Sequence, residues 1–120
     1  TDTNDVNQEL SRIMAEMSGL AEELEFTLYF ISHLNTPIGK PHEEGGRVTV
    51  ANFRGSRTVA FWANYLFGYE RNQQAEDEDE QNTTTFRILK DRYTGMATGK
   101  TVKLFYDHDT GRMLEKQDLF

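Results

Sequence analysis

Cysteine is absent from the 120 residues, proline occurs twice and tryptophan once. Without thiols the chain can form neither a disulfide framework nor a thiolate metal site, which fits a reducing compartment. Long hydrophobic runs are also missing. None approaches the roughly 20 residues of a membrane-spanning helix, so a soluble, intracellular protein is expected. No charged-then-apolar leader opens the sequence, and the first residue is Thr1 rather than Met. That beginning suggests a processed chain, or one cut from a longer polypeptide.

A basic excess is the next thing lacking. The formal charge of −7 argues against a domain that grips nucleic acid through a general positive field. Five of the excess negative charges lie together in Glu76, Asp77, Glu78, Asp79 and Glu80, and without them the remainder stands at −2. The other surfaces are therefore nearly balanced, and any DNA contact must come from particular loops. At this length one core is feasible, burying roughly two-thirds of the surface exposed by the unfolded chain.

What is present has a readable order. Val6, Leu10, Ile13, Met17, Leu20 and Leu24 recur at gaps of three or four, which predicts an amphipathic helix from Asp5 to about Leu24, with Asp5 and Gln8 at its start. Phe26 to Ile31 is an apolar run rich in β-formers and predicts a central strand covered on both faces, as in a parallel sheet. Pro37, Gly39, Pro41, Gly45 and Gly46 make the stretch from Asn35 to Arg47 a long loop. Val48 to Phe53 extends briefly, Ser56 caps a short helix through Asn64, and a strand follows near Tyr65 to Arg71. The acidic segment Gln74 to Asn82 reads as a solvated loop, and Thr84 to Lys90 as a strand. Thr101 to Tyr106 with Arg112 to Glu115 form a hairpin around Asp107 to Gly111. The whole predicts one α/β domain over residues 1–120, a sheet that ends in antiparallel strands.

Polar groups cluster at the predicted element ends. Ser32 and His33 follow the apolar run, where open α/β sheets meet their ligands, although a histidine that merely finishes a strand is the plainer reading. Asn52 to Ser56 offers Arg54 beside a flexible Gly55 at a helix entry. Tyr69 to Gln74 ends a strand with Arg71 in a polar cluster, and Leu89 to Gly95 sets Lys90 and Arg92 two positions apart, on one strand face. Two cations so arranged can meet phosphate or partner the acidic loop.

In this order the segments resemble the helicase half of phage helicase-primase proteins, the DnaB-like hexameric helicases of RecA-like fold. The most specific pieces are Ser-His-Leu at 32–34, Lys-Pro-His-Glu-Glu-Gly at 40–45, Phe-Arg-Gly-Ser at 53–56, Glu-Arg-Asn-Gln-Gln at 70–74 and Arg-Ile-Leu-Lys-Asp-Arg-Tyr-Thr-Gly at 87–95. The resemblance implies the C-terminal half of a RecA-like sheet, mixed with antiparallel strands and a terminal β-hairpin. It also implies roles. His33 matches the histidine near the terminal phosphate, and Arg92 the arginine finger that reaches the neighbouring subunit's nucleotide. Arg71 and Tyr106 match the pair flanking the base, and Lys40 belongs to a DNA-binding loop whose grip Arg47 and Arg54 would share. The implied cofactor is ATP or dTTP with Mg2+, and the implied partners are single-stranded DNA and the other subunits of a homo-hexameric ring. The implied location is the cytoplasm of a phage-infected bacterium.

The chain departs from that pattern in places. Asn35 and Ile38 stand where relatives have lysines, and Phe61, Trp62 and Asn64 where relatives have polar residues and an aspartate. No Gly-x-x-x-x-Gly-Lys-Ser/Thr phosphate loop occurs anywhere, and no apolar strand ending in aspartate precedes the first helix. Hydrolysis by the 120 residues alone is therefore not expected. A non-catalytic module that binds single-stranded DNA or joins a helicase ring is the alternative reading. Two further readings stay open: a RecA-type recombinase remnant, and a plain α/β domain whose cations only pair with nearby acids.

Overall fold

The computed structural model describes residues 3–35 and 39–115, with residues 3–5 as backbone only. Pro37 and Ile38 fall outside these residues. The chain divides into two compact units, one built from 3–35 and Val50–Ala63, the other from 39–49 and 64–115.

The first unit is helical. Helix α1 spans Thr3–Leu24, so Asp5 lies inside the helix rather than capping it. Met14 is buried on its inner face, while Arg12 pairs with Glu9 and Glu16 on the outer face at helical spacing. The helix stops at Glu25, which adopts a left-handed backbone with φ of 58°. The Phe26 N–H then bonds the Ala21 carbonyl at 3.0 Å, the six-to-one closure usually built on glycine. Beyond it, Phe26 to Ile31 contains no strand; Tyr29 is 81% exposed and Ile31 95% exposed. The expected covered central strand is thus corrected. Apolar composition does not make a strand where no neighbouring backbone supplies hydrogen bonds, and no described residue pairs with this run.

The rest of that unit returns against its own start. A short 3-10 turn, Val50–Asn52, replaces the expected extended stretch, and helix α2 spans Ser56–Trp62. Ser56 is the first helical residue, not the cap: Gly55 holds that position in a left-handed conformation, without a side-chain cap bond. A Cβ on Gly55 would stand 2.5 Å from the Leu10 side chain, so glycine also permits the close approach of α2 to α1. Phe53 and Val59 are buried here.

The second unit is a four-stranded antiparallel meander in the order β1-β2-β3-β4. The strands are β1 (Tyr65–Arg71), β2 (Thr83–Asp91), β3 (Thr101–Asp107) and β4 (Arg112–Glu115). All four agree with the sequence-based boundaries to within about a residue. The sheet class is different: no parallel pair exists among the described residues, so the mixed sheet reduces to its antiparallel part. The acidic loop contains a one-turn helix, α3 (Glu78–Gln81), capped where the Asp77 carboxylate accepts the Glu80 N–H at 3.2 Å.

Strand β1 inverts the usual pattern. Leu66, Gly68 and Glu70 are buried, while Tyr65, Phe67 and Tyr69 are exposed. The buried face is covered by Val48, the most enclosed side chain at 1% exposure. Gly68 allows this contact, because a Cβ there would lie 2.9 Å from the Val48 Cβ. The exposed rings pack along the strand and across to β2, with Phe67 and Phe86 centroids 4.9 Å apart and Tyr69 and Phe86 centroids 5.2 Å apart.

Candidate functional site

The sheet gathers the strongest candidate residues at the corner where β2 begins. Register sets Arg71 opposite Thr84, and β3 runs back past the same corner to Tyr106. The turn Gln81–Asn82 ties them together. Arg71 Nε donates to the Gln81 carbonyl, and Arg71 Nη2 donates to Asn82 Oδ1 at 3.4 Å. The Tyr106 N–H donates to the Asn82 carbonyl at 2.9 Å. His108 Nε2 lies 2.9 Å from Asn82 Oδ1, and the His108 ring meets Tyr106 edge-on, centroids 4.8 Å apart at 87°. Arg71 and Tyr106, far apart in sequence, therefore share one anchored corner. A flat guanidinium and an aromatic residue anchored to the same turn suit a flat, partly apolar ligand.

Beside this corner lies a polar cavity of about 170 Å³. Lys40, Arg71 and Lys103 line it along with the carboxylates of Glu44, Glu70 and Glu80. Three cations facing three acids do not make a general anion site. Lys40 does stand at the rim as an exposed loop lysine, and Lys103 is held by Thr85, its Nζ 2.6 Å from the hydroxyl. Arg47 is exposed nearby, close enough for its charge to act on Glu70.

Glu70 and Asp91 are the buried carboxylates among the described residues of this unit, and Glu70 is the one with an ion pair. Its carboxylate accepts Arg87 Nε at 2.7 Å, Arg87 Nη2 at 3.1 Å and the Val48 N–H at 2.9 Å. Burial pushes its pKa up, but those donors and the charges of Arg87 and Arg47 outweigh it and hold the carboxyl below its ordinary value. This pair organises the loop 39–49 on the sheet, and sequence reading missed it. The available signal was one glutamate at an inward strand position with an arginine on the partner strand.

Arg92 stands at the other end of β2. Asp91 closes the strand and takes part in the turn that follows: its carboxylate accepts the Thr94 hydroxyl at 2.7 Å and the backbone N–H groups of Tyr93, Thr94 and Ala97. The Thr94 bond is the main reason its pKa lies below the ordinary value, against a smaller opposing effect of burial, and the three N–H groups add to the lowering. Arg92 is exposed; its N–H donates to the Asn64 carbonyl at 2.9 Å and its Nη1 to Asn64 Oδ1 at 3.3 Å. The uncharged Asn64 thus helps to orient the guanidinium through its side-chain oxygen. Burial, and then the Arg92 charge, lower the Lys90 pKa, so the two cations are close enough to repel.

In the first unit His33 is exposed, and its carbonyl accepts the Arg54 N–H at 3.4 Å and the Ser32 hydroxyl at 3.2 Å. An isolated bridge pairs Leu34 with Phe53, so His33 and the exposed Arg54 become backbone neighbours. Because residues 26–31 form no strand, His33 does not follow one and does not share a sheet with Arg92. Among the described residues no cluster of three or more His, Asp or Glu fits a metal ion, and no helix is long and apolar enough to cross a membrane.

No protein-family model matches the chain. A curated relative does: over 112 residues, 92% of this chain, the sequence is 34% identical to the DNA helicase/primase of Enterobacteria phage T3. The match takes in 19% of that protein, so the chain spans about a fifth of the relative's length. The 120 residues are, over nearly their whole extent, similar to one segment of a phage DNA helicase/primase.

Proposed function

We propose that the chain works as part of a phage replicative DNA helicase of the DnaB-like, RecA-fold type. In that setting it helps couple nucleoside triphosphate hydrolysis to movement along single-stranded DNA and to duplex unwinding, inside a homo-hexameric ring. The observation that carries this reading is the separation of two cationic sites at opposite ends of β2. Arg71 and Tyr106 are both bonded to Asn82 where β2 begins, while Arg92 is exposed beyond its far end. Eight residue steps from Thr84 to Arg92 amount to about 27 Å of strand. A base clamp and a finger so far apart would serve two different nucleotides, as a finger acting across a subunit boundary requires.

In this proposal Arg71 and Tyr106 flank the base of ATP or dTTP. Arg92 supplies a guanidinium to the charge developing on the phosphoryl group bound by the neighbouring subunit, an effect worth about three to five powers of ten in rate. His33 senses the terminal phosphate, with Arg54 adjacent to it. Lys40, Arg47 and Arg54 meet DNA phosphates, each giving position rather than sequence reading. Mg2+ would neutralise phosphate charge when bound; these 120 residues contain no Gly-x-x-x-x-Gly-Lys-Ser/Thr to hold the phosphates beside it.

The test is a chimera in which the matched segment of the phage T3 DNA helicase/primase is replaced by this chain. Retained DNA unwinding supports the proposal. A soluble chimera that binds nucleotide yet never unwinds DNA rejects it. The absent phosphate loop favours a second reading, a non-catalytic module that binds single-stranded DNA or joins a ring. That reading predicts salt-dependent oligonucleotide binding by the 120 residues alone.

A further inference from the structure

The corner at Gln81–Asn82 anchors both Arg71 and Tyr106. Asn82 is 4% exposed, and its side-chain oxygen is shared by Arg71 Nη2 and His108 Nε2. Since an amide oxygen only accepts, His108 carries its proton on Nε2 in this bond. Arg71 is pinned at two nitrogens, Nε on the Gln81 carbonyl and Nη2 on Asn82, which fixes the plane of its guanidinium. Tyr106 is fixed through its N–H on the Asn82 carbonyl, and its ring is backed edge-on by His108. An arginine on a long stem otherwise loses much rotamer freedom on binding, so anchoring it in advance favours a flat ligand.

We infer that Asn82 and His108 are positioning residues of a nucleobase site, a cradle that presents the Arg71 plane and the Tyr106 ring as its two walls. This rests on the reading of Arg71 and Tyr106 as base-flanking, and it adds two residues that neither contact phosphate nor take part in hydrolysis. The cradle recognises an aromatic base and is indifferent to the phosphate chain.

The test titrates the isotope-labelled 120-residue chain with adenosine, ATP and inorganic tripolyphosphate, following the Arg71 Nε–H and the Tyr106 amide and ring resonances. Adenosine and ATP should shift both residues, and tripolyphosphate neither. His108→Ala and Asn82→Ala should each weaken adenosine about threefold to tenfold, the value of one lost hydrogen bond. His108→Gln, which keeps a donor, should recover most of that loss. His108 is exposed, so its variants should melt like the unsubstituted chain, and tripolyphosphate binding elsewhere should be unmoved. Adenosine binding at Arg71 and Tyr106 with unchanged affinity in both alanine variants would overturn the cradle and leave the base site standing. No adenosine-dependent shift at either residue in the unsubstituted chain would overturn both.

Discussion

Phe26–Ile31 and Tyr65–Arg71 are short runs of similar apolar character, and they meet opposite fates. The first is more hydrophobic, yet it forms no strand and its residues Tyr29 and Ile31 are almost wholly exposed. The second carries a glutamate, a glycine and an arginine, yet it is a fully paired strand. The difference lies in the neighbours. β1 has β2 beside it for its hydrogen bonds and Val48 above its buried face; the earlier run has no strand partner among the described residues. Composition nominates a strand, and a ladder makes it one.

That comparison can be broken, and the largest effects belong to the second unit. Glu70→Ala leaves Arg87 without its partner and Val48 without its acceptor, and it should cost about 3 to 4 kcal/mol in a denaturant titration. Leu66→Ala, at a buried β1 position, should cost about 3 kcal/mol by the same measurement. Gly68→Ala drives a methyl against Val48 and should cost about 1 to 2 kcal/mol. At the small end, Ile31→Ser should change stability by less than about 0.5 kcal/mol, because almost all of that side chain already meets water. A loss of several kcal/mol at Ile31 would instead restore the covered-strand reading of residues 26–31.

Acid should act through the same buried pair. The folded pKa of Glu70 lies below its unfolded value. Its contribution to stability is therefore complete above the ordinary carboxylate value, and it is lost as pH falls through the lowered folded value. Glu70→Gln should flatten this acid limb of a stability-versus-pH curve, and an unchanged limb would assign acid sensitivity to other carboxylates.

Much of the second unit was legible before any coordinates. Alternation and turn residues located β1, β2 and the β3–β4 hairpin because each pairs with its sequence neighbour, and local signals suffice for a meander. The parallel sheet expected around residues 26–31 was not legible in the same sense, since a central strand is defined by partners distant in sequence. At the candidate site, Arg71 and Tyr106 were reached through resemblance, and nothing in their spacing announced that both bond to Asn82. Asn82 and His108 escaped notice for the same reason. Only register brings the end of α3 against the end of β3; the period-two spacing of Tyr106 and His108 was a hint of a shared face. Arg92 was expected with Lys90 on one strand face; in the structure it is an exposed residue just past Asp91, the last residue of the inner strand β2. Asn64, noted only as a departure from the family's aspartate, proves to accept two hydrogen bonds from that arginine.

In the proposed role, Arg92 acts on a nucleotide other than the one flanked by Arg71 and Tyr106 of the same chain. The most direct measurement is steady-state hydrolysis by the chimeric helicase with and without Arg92→Ala, alongside equilibrium nucleotide binding. The predicted result is a fall in turnover of about a thousandfold or more, with nucleotide affinity nearly unchanged. Turnover within a fewfold of the unsubstituted chimera, or a loss confined to binding, would contradict it.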